Sequence, residues 1–202
     1  IVYVHNGAGK AARFLEACDA YLGETFESYE IIVVNDGSTD STQSEVASVT
    51  GRLNGNVILI NLPWKHGVEP AMTAGLHRSV GDFVYERDSI ELDFSKDVLV
   101  NLYETAVTGF DIVSCAPDTA QAFTSKAFYW FINKVSYVNL NLASETLRLV
   151  SRRALNAMLG LKEKFRYRKA LYLLTGYPCK STTYKQIPGY TGDKKRIRQE
   201  NI

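Results

Sequence analysis

The chain has 202 residues, 46% of them hydrophobic and 22% charged, a composition that suits one globular domain and excludes a disordered or low-complexity chain. A formal net charge of +1 gives no broad pull toward nucleic acid, so nucleic-acid binding is not expected, although "KKRIR" at Lys194 to Arg198 is a local basic cluster. No apolar run approaches the eighteen or so residues of a membrane-spanning helix. Cys18, Cys115 and Cys179 form no zinc or C-x-x-C pattern, as expected of reduced thiols in a cytoplasmic protein.

In chain order, β-branched apolar runs alternate with helical patterns: "IVYV", "KAARFLEACDAYLG", "YEIIVVN", "STQSEVASVTGRL", "NVILINL", "EPAMTAGLHRSV" and "DFVYE". This βαβαβαβ order predicts a mostly parallel α/β sheet with helices on both faces, because "IIVV" and "VILI" are apolar at successive positions. Asp40, followed three residues later by Gln43, predicts a capping box at the second helix. Beyond Lys96 the pattern loosens into a helix at "DVLVNLYETAV", a strand at "DIVSC", an aromatic stretch "KAFYWFINKVSYV", then "LRLVSRRALNAML" and "RYRKALYLLTG". No repeat or Pro/Gly/Ser-rich linker divides the chain, so a single domain over 1–202 is expected, with a regularly alternating half over 1–95, a looser half over 96–185 and a basic tail over 186–202. The start inside a strand, without methionine, fits a piece of a longer protein in which a membrane segment could follow residue 202.

Ligands of open parallel sheets bind beyond the carboxyl ends of the strands, and the polar clusters fall there. "NGAGK", Asn6 to Lys10, lacks the spacing of a phosphate loop or dinucleotide motif and reads first as a turn and cap. In "VVNDGSTDST" a buried strand delivers Asn35 and Asp36 to the crevice, where a carboxylate either accepts from a base or ribose or closes its own turn. "VYERDSIELDF" brings four acids, Glu86, Asp88, Glu91 and Asp93, after the fourth strand. Residues two apart on a strand face the same side, so Glu86 and Asp88 are expected to converge as E-x-D.

The ordered set "HN", "IIVVNDGSTDST", "HGVEPAMTAGLHRSVGDF" and Asp88 resembles the family 2 glycosyltransferases with the GT-A nucleotide-diphospho-sugar transferase fold. "SETLRLVSRRALNAMLGLKEKFRYRKALYLLTGYP" resembles the dolichyl-phosphate mannosyltransferase-like branch, through Arg148, Leu149, Val150, Ser151 and Arg152, then Arg166, Tyr167, Arg168 and Gly176, Tyr177. Members of that branch move a sugar from a nucleotide diphosphate to a polyprenyl phosphate.

The resemblance implies that Asp36 recognises the nucleoside, with Asn6, Ser38 and Gly67 shaping the nucleotide-sugar pocket. It places Asp88 at the first carboxylate of the D-x-D motif, where it would bind Mg²⁺ or Mn²⁺ across the two phosphates of a UDP- or GDP-sugar. Such a metal serves as a Lewis acid for the departing diphosphate. Glu86 is the expected second metal ligand, with Glu91 and Asp93 in reserve. The chain departs from the pattern at Ile90 (second D-x-D position), Asn35 (usually acidic), His5 (commonly tyrosine) and Gly7 (commonly glutamate).

A phosphate acceptor is already ionised near neutral pH and needs cations rather than a base, so Arg148 and Arg152 are expected to be catalytic, with Arg153 a weaker candidate. Glu145 is the sole acid near that segment. Transfer to a polyprenyl phosphate at the cytosolic face of a membrane is the leading expectation, and the resemblance implies inversion at the anomeric carbon. Transfer to a saccharide hydroxyl, or a domain that binds nucleotide sugar without catalysis, are the alternatives. "FTSKAFYWFINKVSYV" reads equally as a helix at a membrane interface or one packed on the sheet.

Overall fold

A computed structural model gives the fold and describes residues 1–118, 145–162 and 167–187. The aromatic stretch, Arg166 and the "KKRIR" tail lie outside the described residues. The elements in order are β1 (Val2–Val4), α1 (Ala11–Gly23), β2 (Glu30–Asp36), α2 (Thr42–Thr50), β3 (Asn56–Leu62), α3 (Val68–Arg78), β4 (Phe83–Arg87), α4 (Lys96–Val107), β5 (Ile112–Pro117), β6 (Leu147–Ser151), α5 (Arg152–Leu159), α6 (Arg168–Leu174) and β7 (Cys179–Tyr184). Among the described residues the strands form one seven-stranded sheet in the order β3-β2-β1-β4-β6-β5-β7.

The alternation expected over the first ninety residues is present, and its cause is visible in β2. Successive side chains of a strand point to opposite faces. Ile31 and Val33 join the core formed with α1, α2 and α4, while Ile32 and Val34 pack with Ala71 and Met72 of α3 on the other face. A strand covered on both sides cannot afford a polar residue, hence the unbroken "IIVV". On that second face, α5 and α6 cover the far half of the sheet through Leu155, Met158, Leu171 and Tyr172.

β6 departs from the parallel pattern, pairing antiparallel with both β4 and β5. The expectation recognised neither β6 nor β7. "LRLVSRRALNAML" runs from strand into helix with no Gly or Pro, and the break falls at Ser151, whose Oγ accepts the Ala154 N–H at 3.3 Å to cap α5. The capping box at α2 is also corrected. Asp40 does accept the Thr42 N–H at 3.0 Å, but its other oxygen accepts the Ala8 N–H at 3.1 Å rather than being matched by Gln43.

Chain order reverses at β1, which lies between β2 and β4. Its carboxyl end, with those of β2, β3 and β4, opens the crevice where ligands of such sheets sit. A cavity of about 320 Å³, lined by Cys18, Tyr29, Ile31, Phe83, Tyr85 and Leu99 among others, lies at the opposite end. β1 pairs with β2 over Val33 to Asn35 and with β4 at Arg87. Among the described residues no helix is long and apolar enough to cross a membrane.

Candidate active site

Three loops meet beyond β1, β2 and β3. Asn6, with φ of 50°, accepts the Thr39 N–H on Oδ1 at 2.9 Å and donates its own N–H to Ser38 Oγ at 2.9 Å. Ser38 Oγ–H in turn donates to Asn35 Oδ1, and Asn35 Nδ2 donates to Asn61 Oδ1 at 2.8 Å. Asn6 and Ser38 therefore fix the two loops to each other at the mouth of the crevice. Amides of "NGAGK" are engaged within the protein: Gly7 N–H donates to Thr42 Oγ1 at 2.7 Å, and Gly9 donates to the Glu45 carboxylate at 2.6 Å, which Ala12 of α1 also reaches at 3.0 Å. Thr42 and Glu45 of α2 thereby occupy donors that a phosphate would need.

Asp36 was expected to touch the nucleoside, but its side chain is fully buried. It accepts the His66 N–H at 2.7 Å, the Gly67 N–H at 2.8 Å and the Tyr3 hydroxyl at 3.1 Å. Both oxygens of this carboxylate are thus engaged within the protein. It positions the 63–67 loop, with Gly67 at φ of 93° turning the chain into α3, a left-handed conformation that favours glycine. On that loop the Trp64 ring is 64% exposed and stacks on His66, with centroids 5.0 Å apart. Sequence reasoning missed this ring, which sits on the rim beside the Asp36 turn.

Beyond β4 the two acids converge as strand geometry requires, but on a guanidinium. Arg168, at the start of α6, donates from Nη1 to Glu86 Oε2, from Nη2 to Asp88 Oδ1 at 2.7 Å, and from Nε to Glu69 Oε2 at 3.0 Å. Tyr172, one turn along α6, donates its hydroxyl to Glu86 Oε1. Arg148 reaches to 3.8 Å of Glu86 and donates from Nη2 to Glu145. Lys169 commits one ammonium proton to the Glu145 carbonyl at 2.8 Å and lines a small pocket with Asp88, Glu86, Glu145 and Arg148.

Glu86, Arg148 and Arg168 are nearly inaccessible, whereas the Asp88 side chain is 31% exposed. Burial pushes the Asp88 carboxyl up, but the charges of Arg168 and Lys169 outweigh it and hold the pKa below the ordinary carboxylate value. Burial pulls the Lys169 ammonium below its usual range, with Asp88 opposing. Burial, then the neighbouring Glu86, pushes the Tyr172 phenol well above its own.

Several expected roles change on this geometry. Glu86 is not an available metal ligand, because both its oxygens are taken by Arg168 and Tyr172. Asp93 is buried and bound by Arg87 at 2.7 Å, Tyr184 at 2.9 Å and Gln186 at 3.1 Å, and Glu91 pairs with Lys10 at 2.9 Å. Ile90 is packed in the core. A Cβ added to Gly7 would come within 2.5 Å of Ile90 Cδ1, so two departures from the family pattern touch each other. Among the described residues no group of three or more His, Cys, Asp or Glu could hold a metal ion. The residues at this site do not fit a divalent ion: they leave it one carboxylate, half engaged by Arg168.

Arg152 is also corrected, because β6 runs antiparallel to β4 and carries it to the far end of the sheet. There it donates to the Gly81 carbonyl at 2.9 and 2.6 Å and to Ser79 Oγ at 3.2 Å. Arg153 grips Asp111 with two bonds of 2.6 and 2.7 Å at that same end, with Tyr177 beneath it. Of the three arginines only Arg148 reaches the crevice, so Arg148 and Arg152 do not form a paired clamp there. Lys169, at the position next to Arg168 in "RYRK", is the cation that reading passed over.

The family model described as Glycosyl transferase family 2 matches residues 1–159, and the chain belongs to that family. It is 29% identical over 174 residues to an uncharacterized glycosyltransferase of Synechocystis sp., covering 83% of this chain and 54% of that protein. A prophage bactoprenol glucosyl transferase homolog of Escherichia coli K12 is 26% identical over 180 residues (85% and 58%). An undecaprenyl-phosphate 4-deoxy-4-formamido-L-arabinose transferase of Pseudomonas fluorescens is 24% identical over 169 residues (81% and 49%). The chain spans about half the length of these curated relatives.

Among solved structures, a mannosyltransferase of Pyrobaculum calidifontis in complex with GDP-Man and Mn²⁺ superposes with a TM-score of 0.69 at 19% identity, covering 96% of this chain and 56% of that one. Glucosyl-3-phosphoglycerate synthase of Mycobacterium tuberculosis, in complex with Mn²⁺, UDP-glucose and phosphoglyceric acid, gives 0.63 at 16% identity (92% and 69%). The fold is the GT-A fold, as the resemblance implied.

Proposed function

We propose that this domain transfers a sugar from a nucleotide diphosphate sugar to a polyprenyl phosphate, with inversion, at the cytosolic face of a membrane. The observation that carries the reading is the convergence of Asp88, Arg148 and Lys169 on one pocket beside the loops fixed by Asn6, Ser38 and Asp36. The nucleoside occupies the crevice beyond β1 and β2, where the exposed Trp64 ring offers a stacking face for a base. The open oxygen of Asp88 accepts a hydrogen bond from a hydroxyl of the donor.

A phosphate acceptor is supported on two grounds. The relatives named for undecaprenyl phosphate and bactoprenol match over four-fifths of this chain. The acids near the pocket are also poor general bases: Glu86 and Glu145 are bonded to arginines, and Asp88 is held ionised and paired. A phosphate monoester, with a second pKa of about 6, supplies its own nucleophilic oxygen. That oxygen attacks the anomeric carbon opposite the departing nucleoside diphosphate, which inverts the centre. The Lys169 ammonium and the Arg148 guanidinium, which line the small pocket, supply positive charge for the phosphates in this reading.

The test is a thermal-shift screen of the 202-residue protein with UDP-, GDP- and CMP-sugars. It is followed by transfer of labelled sugar to undecaprenyl phosphate or to soluble saccharides. Stabilisation by one nucleotide class and label in the lipid phase are expected. Label in the saccharide alone would move the acceptor to a hydroxyl, and no stabilisation by any donor would sink the donor-site reading.

A further inference from the structure

The carboxylates beyond β4 already have their cation. Arg168 is 2% exposed and spends Nε, Nη1 and Nη2 on three different carboxylates, those of Glu69, Glu86 and Asp88. Its backbone N–H also donates to Glu69, at 2.9 Å. These acids come from α3, β4 and the segment after β4, so the guanidinium sits where separate elements converge, as a bound ion would. The position that could have offered a further oxygen ligand is Ile90, closed into the core against Gly7.

Resting on the glycosyltransferase reading above, we infer that this domain binds its nucleotide diphosphate without a divalent cation, Arg168 replacing the ion at the carboxylates and Lys169 meeting the phosphates. Two carboxylates locked by a buried fork cannot rotate to share a metal without leaving the buried Arg168 guanidinium, 2% exposed, short of its counter-charges. Lys169 is half-buried beside Asp88 and directs its ammonium into the pocket, with one of its three donors used by the Glu145 carbonyl. A compact ammonium with donors to spare suits phosphate oxygens. The open Asp88 oxygen is left to a hydroxyl, which tolerates a carboxylate where a bare diphosphate would not.

The experiment is calorimetric titration of the 202-residue protein with UDP and with GDP, each in EDTA and in millimolar Mn²⁺. Affinity for the preferred nucleotide is expected to agree within about twofold between the two conditions. Lys169→Ala should lose about tenfold in both, and Lys169→Arg should retain most of the binding. Arg168→Met frees three acids and should acquire an Mn²⁺-dependent rise in melting temperature that the parent lacks. If that variant does not fold, the comparison on the parent protein decides alone. Binding tenfold or more weaker in EDTA would overturn the inference while leaving the donor-site reading intact. No binding of either nucleotide in either condition would overturn both.

Discussion

At the scale of single residues, Gly7 and Ile90 explain each other. Each is a departure from the pattern the chain resembles, and each looks like a loss when taken alone. Together they form an apolar contact at the carboxyl ends of β1 and β4, with no space for a Cβ on residue 7: it would lie 2.5 Å from Ile90 Cδ1 and 2.6 Å from Val4 Cγ2. Gly7→Ala is therefore expected to cost about 1–3 kcal/mol through overpacking. Adding Ile90→Val should recover part of that cost. A double-mutant cycle by urea denaturation measures the coupling, and strictly additive effects would mean that the two positions are independent. Arg152→Ala belongs to the same scale. It should lower stability, because the Gly81 carbonyl and Ser79 lose their donor, while nucleotide affinity stays within about twofold, since the residue lies at the far end of the sheet.

At the scale of elements, the 63–67 loop depends on β2. One buried carboxylate, Asp36, satisfies two consecutive amides of the loop and a tyrosine hydroxyl from β1. Asp36→Ala removes the acceptor of the His66 and Gly67 amides and one partner of the Tyr3 hydroxyl, and a buried group left unsatisfied costs about 1–3 kcal/mol. A loss of at least about 2 kcal/mol is expected, with faster hydrogen exchange at His66 and Gly67 and weaker nucleotide binding. Unchanged exchange at those amides would show that the loop holds itself. α6 has a parallel role, as its first turn carries both Arg168 and Lys169 to the crevice and Tyr172 follows one turn later against Glu86.

At the scale of the whole molecule, the ionisable groups set a pH window. Asp88 and Asp19 are pushed up by burial but held lower on balance, by Arg168 in one case and by hydrogen bonds from Tyr29, Gly55 and Asn54 in the other; Arg153 lowers Asp111. Each folded pKa lies below the unfolded value, so these groups stabilise the protein above about pH 4 and lose that contribution as the pH falls through the folded values. Burial raises Tyr29 to about 12, helped by Asp19, and raises Tyr184 to about 12. Their contribution is complete below about pH 10 and fades as the pH rises toward the folded values. Stability measured by denaturant titration should therefore form a plateau between these limits, and Asp88→Asn should shallow the acid limb. An acid limb unchanged in that variant would mean that Asp88 is no better paired in the folded chain than in the unfolded one.

The sequence by itself determined whatever depends on neighbours along the chain. The strands of the first half were legible because burial on both faces demands unbroken apolar runs. The Asn35–Ser38 turn and the convergence of Glu86 with Asp88 were legible because turn chemistry and a two-residue repeat are local. The ion on which those acids converge was decided only in three dimensions. Arg168 lies 82 residues from Glu86, and nothing in "RYRK" tells a buried fork from a solvated face. The antiparallel course of β6, set by pairing with β4 and β5, sends Arg148 to the crevice and Arg152 to the opposite end of the sheet. Electrostatic partnership follows distance in space, and that distance is fixed by the packing of the sheet and its helices.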